Sequence, residues 1–200
     1  MATRRTPDGA QRRRALCDAG IELLAEHGAK GLSHPRVDRR AGVPDGSASY
    51  YFRTRAALIH AVAERVAELD LADLRSVTVP DADTSQRGAV AKLAAVVMKS
   101  LTGDGLTRTR ARIELLLQAS RDPAISDAFH ANSQTYLRLH RELAERSQPT
   151  HADPSAVEDR TLLTVTFISG LMLSAAGGSQ PVIARDRLEL LLTQIADSGS

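Results

Sequence analysis

The chain has 200 residues and a mass of 21.5 kDa, room for one or two domains at ~100–200 residues each. Its 42% hydrophobic and 25% charged residues are those of a globular protein and exclude bulk disorder. The formal charge is +2, and the single Cys17 excludes an intrachain disulfide and any cysteine-rich metal cage.

Ala and Leu fill 56 of the 200 positions against 19 for Val plus Ile, so an all-α chain is expected. Residues 11–27 carry Leu16, Ala19, Leu23 and Leu24 at helical spacing, which predicts a first helix closed by Gly28. Ser33 reads as the N-cap of a short second helix to Ala41, with Pro35 in its first turn, Val37 and Ala41 inward and Gly42 ending it. A third short helix is predicted from Asp45 or Gly46 to Phe52, and a long one from Arg55 to about Ser76 with Leu58, Val62, Val66 and Leu69 inward. Beyond a break at 77–84, helices are predicted over 85–102, 106–121, 123–147, 154–176 and 182–197. The short VTV at 77–79 is a strand signal that Pro80 cuts off. The stretch Thr161–Ala176 is apolar almost all round, so as a helix it must be covered on more than one side.

No run of about 18 apolar residues offers a membrane span, and the basic N-terminus lacks the apolar stretch of a signal peptide. A cytoplasmic protein is expected. Charge is unevenly placed: residues 1–66 hold 12 Lys/Arg against 7 Asp/Glu, whereas 67–200 hold 14 against 17. A basic first third either faces a polyanion or is a solvated tail.

Three of the chain's six aromatic residues fall together at Tyr50-Tyr51-Phe52, after the small Ser47, Ala48 and Ser49 and beside Arg53 and Arg55. Helix 34–41, the turn at Gly42-Val43-Pro44 and helix 45–52 have the dimensions of a helix-turn-helix, whose second helix enters a major groove about 12 Å wide. Short side chains at Ser47 and Ser49 let the backbone approach base edges, while Tyr hydroxyls and Arg guanidinium groups donate to phosphates. Phe52, Val37, Val43 and Leu58 read as core residues. Asp45 reads as a helix cap or, in the groove, as an acceptor for a cytosine amine.

The stretch GAKGLSHPRVDRRAGVPDGSASYYFRTRAAL, residues 28–58, resembles the N-terminal domain of the TetR/AcrR family of bacterial transcriptional regulators. The spacing of Gly28, Ser33, Val37, Ala41-Gly42-Val43, Gly46-Ser47, Phe52, Arg55 and Leu58 carries the resemblance, which covers about residues 11–65. Two positions depart from the family pattern: a frequent Tyr is Ser49 here, and a usual Ala is Asp38. The resemblance implies that Ser33 and His34 touch phosphate at the start of the second helix, that Tyr51 and Arg55 touch phosphates around the third, and that Ser47, Ser49 and Tyr50 face bases. Arg53 is either a further phosphate contact or a solvated charge.

The resemblance also implies a two-domain organisation, with a helix-turn-helix DNA-binding domain over 1–54 and a helical ligand-binding and dimerisation domain over 55–200. The second part matches the family only in length and helix content. Its bulky or adaptable residues Met98, Leu101, Leu117, Phe129, Tyr136, Phe167 and Met172 are candidates to enclose a small effector, with Arg112, Gln118 and His140 as polar contacts. Core packing explains most of them equally well. Helices 154–176 and 182–197 are the expected homodimer interface, with small Gly170, Ser174 and Ala175 admitting a partner helix.

No Gly-rich phosphate loop, nucleophile elbow, H-E-x-x-H or metal-spaced His/Cys cluster appears in the sequence. Asp81-Ala82-Asp83 and the pair His27 and His34 read as loop or surface. No enzyme, cofactor or metal is therefore expected. The reading reached is a ligand-released repressor bound as a homodimer to a palindromic operator. A helical small-molecule-binding or interaction protein without DNA binding is the alternative.

Overall fold

The computed structural model describes residues 9–78, 85–123, 125–127, 129, 154–178 and 183–197. The chain divides into two compact units, Met1–Ala67 with Arg110–Phe129 and Glu68–Thr109 with His130–Ser200. The described residues are helical: α1 (Gly9–Gly31), α2 (His34–Ala41), α3 (Ser47–Tyr51), α4 (Arg55–Thr78), α5 (Gln86–Ser100), α6 (Gly103–Ala119), α7 (Pro154–Ala176) and α8 (Arg185–Asp197). Among the described residues no helix is long and apolar enough to cross a membrane.

In the first unit, the stripe on α1 packs inward as its periodicity predicts, with Leu16, Ala19, Leu23 and Leu24 buried. At Gly28 the backbone leaves helical geometry, at φ 61° and ψ −165°, so the first regular helix closes where the sequence places its end, and a short helical piece follows to Gly31; glycine accommodates this break because it has no Cβ. α2 starts after Ser33, whose backbone is extended, and ends at Gly42, left-handed at φ 64° with its N–H on Arg39 O. α3 is shorter than predicted because Gly46, at φ 88°, and Phe52, extended, fall outside it. Thr54 Oγ1 accepts from Ala57 N–H at 3.1 Å and caps α4. Val37, Phe52, Leu58, Val62 and Val66 fill the interior at 2% exposure or less, whereas Val43 is half-buried. Full burial of each such large side chain is worth about 1.5–3 kcal/mol. Ion pairs tie α1 to its neighbours: Arg65 to Asp18 at 2.8 Å, and Arg40 to Glu22 at 2.9 Å and to Glu26. The hydrogen bond from Arg40 holds the Glu26 carboxyl below its usual range. Burial pushes the Cys17 thiol up to about 11, so it packs as a small apolar group and not as a thiolate.

In the second unit, α5 and α8 lie together with the end of α4 and with α7 around Leu74, Val90, Ala94, Val97, Ile168, Leu188 and Leu192. On α4 the predicted inward residue Leu69 is only half-buried, and Leu71 and Leu74 are the buried ones. The covered face has rotated because these two join the cluster made by α5, α7 and α8. Ser85 caps α5 through Gly88 N–H at 3.1 Å. α6 begins at Gly103 instead of 106, since Leu106 N–H already reaches Thr102 O at 3.1 Å. α4 runs on through Thr78, so the strand signal gives no strand up to that residue. Most of the predicted helix 123–147 lies outside the described residues.

A polar cluster joins α4, α5 and α6 in this unit. Arg108 donates to Asp70 at 2.8 Å and to Asp73, and Lys99 reaches Asp73 at 2.7 Å. Burial alone would raise the Asp73 carboxyl, but the hydrogen bonds from Lys99 and Arg108 outweigh it and the group lies below its ordinary range. On α7, Ile168 and Met172 are buried while Leu162, Leu163 and Leu173 are exposed, as is Leu190 on α8.

α1 faces α4 at Gly20, where a Cβ would stand 2.6 Å from Val62 Cγ2 and 3.4 Å from Leu32 Cδ1. Val62 is β-branched and stiff at χ1, so the helices and not the side chain must give. Gly20→Ala is expected to cost about 1–3 kcal/mol in urea unfolding. Wild-type stability in that variant would contradict this packing.

Candidate nucleic-acid interface

A five-residue helix has almost no stability of its own, because nucleation is unfavourable and it offers few internal bonds. α3 must therefore be held from outside. The turn that delivers it is closed by Val43 N–H on Asp38 O at 3.1 Å and by Ser47 N–H on Pro44 O at 3.2 Å. The side chain of Asp38, 1% exposed, accepts from Gly46 N–H at 2.8 Å with Oδ2 and from Ala48 N–H at 2.7 Å with Oδ1. These amides are among the donors that a helix start leaves unsatisfied, and an anion there also meets the positive end of the peptide dipoles. At the other end of α3, His34 Nε2 stands 2.7 Å from Phe52 O. A carbonyl oxygen only accepts, so Nε2 carries the proton.

The cap expected of Asp45 is thus supplied by Asp38. Asp45 is exposed, and the residue at the cap position is Gly46, which makes no side-chain bond. Sequence reasoning noted Asp38 only as a departure from a family pattern. The signal available was its place one turn after His34 on the helix whose other inward residue is Val37.

Opposite these anchors α3 presents its free face. Tyr50 is 73% exposed, and Ser49 and Arg53 are exposed beside it. Ser47 is half-buried and donates its hydroxyl to Pro44 O at 2.6 Å, so towards a ligand it can act only as an acceptor. Tyr51 is half-buried, edge-on to Tyr50 at a centroid distance of 5.3 Å and tilted against Phe52 at 6.4 Å. Phe52 is buried with the Arg13 guanidinium 5.3 Å over its ring, a contact from α1 that the sequence pattern did not suggest.

Arg55 is exposed yet already engaged: Nε donates to Leu32 O at 3.2 Å and Nη2 to Ala29 O. Two of its five N–H groups thus close the α1–α2 connection, and three point elsewhere. Ser33 is half-buried and its hydroxyl makes no capping bond to α2. His34, with Nε2 committed to Phe52 O, can donate from Nδ1 only as the imidazolium. Ser33, His34, Asp45, Ser47, Ser49, Tyr50, Tyr51, Arg53 and Arg55 all belong to the first unit.

The candidate effector contacts are spread over both units. In the second unit, Leu101 and Met172 are core residues, and Met98 and Phe167 pack against that core. In the first unit, Arg112, Gln118 and Phe129 are half-buried, Gln118 donates to Glu114 O at 3.2 Å, and Leu117 is 65% exposed. Tyr136 and His140 lie outside the described residues.

The family model for bacterial regulatory proteins of the tetR family matches residues 16–62, which include α2 and α3. A second, for the tetracyclin repressor-like C-terminal domain, matches residues 84–198. The HTH-type transcriptional regulator BetI of Burkholderia cenocepacia J2315 is 27% identical over 181 residues, 90% of this chain and 89% of that protein. A TetR family member of Streptomyces coelicolor A3 is 26% identical with a TM-score of 0.69, covering 92% of this chain and 98% of that one. The multidrug binding protein EbrR, solved with ethidium, is 27% identical with a TM-score of 0.62, covering 94% and 99%. The helix-turn-helix built on Asp38 and these matches along both parts of the chain lead to one conclusion: the protein belongs to the TetR family and is a DNA-binding transcriptional regulator.

Proposed function

We propose that the chain is a ligand-released repressor that binds a palindromic operator as a homodimer, with residues 1–54 reading DNA and residues 55–200 binding the effector and the second copy. The observation that carries this reading is the outward face of α3, with Tyr50 at 73% exposure beside exposed Ser49 and Arg53 on a helix anchored from behind. Ser47, Ser49 and Tyr50 meet base edges. Ser47 and Asp45, both acceptors there, suit the amino group of cytosine or adenine. Ser33, His34, Tyr51, Arg53 and Arg55 meet phosphates. The protein works in the cytoplasm and as a regulator, not as a catalyst.

Arg53 is the cleaner phosphate probe, since Arg55 also holds the α1–α2 connection. Arg53→Ala is expected to weaken binding to all duplexes about equally and to lower the salt slope by ~1. Tyr50→Ala should change the preference among operator variants by ~1–3 kcal/mol. Fluorescence anisotropy at several salt concentrations separates the two effects. An unchanged slope for the first variant, or an unchanged preference for the second, removes that residue from its role.

The effector is a small, largely apolar molecule taken up among residues 85–176, with Met98, Leu101, Arg112, Leu117, Gln118, Phe129, Tyr136, His140, Phe167 and Met172 as candidate contacts. Support comes from the likeness to EbrR, a multidrug binding protein. Linkage requires reciprocity: a molecule that raises the thermal midpoint and releases the protein from operator must itself bind more weakly, typically ~5–150-fold, when operator is present. Equal affinities with and without operator would show that the molecule is no inducer.

The homodimer forms through residues 154–197. Leu162, Leu163 and Leu173 on α7 and Leu190 on α8 are exposed in the single chain, and around Gly170 nothing stands within 4 Å of the position of a Cβ, so a partner helix can approach there. An isologous four-helix interface would bury this apolar face, and half-sites would then lie ~10 base pairs or a multiple apart. Sedimentation at micromolar concentration is expected to give twice the 21.5 kDa chain mass. A monomer under those conditions removes both the interface and the palindrome.

A further inference from the structure

The second helix of the motif carries His34 and Asp38 four residues apart, so both side chains leave the same face one turn from each other. They meet α3 at its two ends, and with opposite chemistry. The Asp38 carboxylate accepts the N–H groups of Gly46 and Ala48 at the start of α3, and His34 Nε2 donates to the Phe52 carbonyl just after its end. Acceptor meets free donors, and donor meets a free acceptor, as the unsatisfied ends of a helix require. Because α3 is only Ser47–Tyr51, no bonding of its own fixes its direction.

We propose that His34 and Asp38 are positioning residues, a clamp from α2 that sets the direction of α3 and thereby the discrimination between base sequences. The inference rests on the reading of α3 as the base-reading element. Base contacts tolerate displacements of only about 0.5 Å, whereas phosphate contacts from long Arg side chains adapt and carry little sequence information. Loosening the clamp therefore lowers the ratio of specific to non-specific affinity, and at Asp38, which is no phosphate contact, it leaves the phosphate contribution in place.

Asp38→Asn tests this with an isosteric change. Asn keeps one acceptor oxygen but turns an NH₂ donor towards the second backbone amide, so one of the two bonds is replaced by a donor–donor contact. The probes are the duplex that the wild-type protein selects from a random pool and a scrambled duplex of equal length. Each variant is held at a temperature where circular dichroism shows it fully folded. For Asp38→Asn the affinity ratio between the two duplexes is expected to fall about tenfold or more, as for loss of a charge-assisted bond, with the salt slope on the scrambled duplex unchanged. If affinity for both duplexes falls equally, or the ratio stays at the wild-type value, the clamp is overturned.

His34 supplies the second arm should Asp38→Asn not fold. His34→Ala removes the donor to Phe52 O and is expected to lower the ratio several-fold, while His34→Gln, whose amide can donate to the same oxygen, restores it. If His34→Ala matches wild type, or if Gln fails to rescue, the clamp is overturned at that end. A wild-type protein that selects no sequence overturns the base-reading assignment and the clamp together. A wild-type preference that these variants leave intact overturns the clamp alone.

Discussion

A buried carboxylate at 1% exposure would be costly if its charge met only apolar side chains, yet Asp38 lies in the core of the helix-turn-helix. What makes it tolerable is the pair of backbone N–H groups, from Gly46 and Ala48, that it accepts at 2.8 and 2.7 Å. The same bonds give α3 the definition that five residues cannot provide alone. Beside them, the backbone carbonyl of Asp38 closes the turn by accepting from Val43 N–H, and Ala48 and Phe52 lie in the core while Ser49, Tyr50 and Arg53 face outward. Without an acceptor at this place the N–H of Ala48 would be left buried and unpaired.

Around this motif the first unit is held by packing more than by charge. The Arg40 pairs with Glu22 and Glu26 lie at the surface, where such pairs contribute about 0–1 kcal/mol. By contrast, Leu16, Leu24, Leu58 and Val62 are wholly buried, and Gly20 lets α1 and α4 meet without a side chain between them. The surface pairs orient the helices and the apolar contacts stabilise them. Arg55 takes an intermediate place. Its bonds to Ala29 and Leu32 carbonyls satisfy the end of α1 after the Gly28 kink while the residue stays exposed. A cation that the family resemblance marks as a candidate phosphate contact thus serves in this structure as a cap.

The second unit solves a different problem. Its core is built from Leu, Val, Ile and Met on four helices, and the charged group Asp70, Asp73, Lys99 and Arg108 ties α4, α5 and α6 together. Arg108 is 12% exposed in its side chain, deep enough for desolvation to be expensive, and its bonds to two carboxylates offset that cost. Breaking one partner would leave a buried charge, which makes the cluster a constraint on geometry more than a net source of stability. On α7 the apolar residues exceed what one chain covers: Ile168 and Met172 go inward and Leu162, Leu163 and Leu173 do not. Periodicity announced this, since a helix apolar on nearly every side needs cover on more than one.

Helix content, the positions of α1, α2, α4, α5, α7 and α8, the turn at Gly42 and the burial of Val37, Phe52 and Leu58 were legible in the residues, because they follow from local spacing, caps and breakers acting over a few positions. The cluster Tyr50-Tyr51-Phe52 likewise marked the candidate reading helix. Tertiary structure alone decided that Asp38 and not Asp45 caps α3, that His34 holds Phe52 O, that Arg55 closes the α1–α2 connection, and that Leu71 and Leu74 replace Leu69 on the buried face of α4. Each of these joins groups from separate elements, eight to twenty-six residues apart for the hydrogen bonds. A local pattern states which residues can donate, accept or be buried, but the partner that satisfies them is selected only when the helices pack.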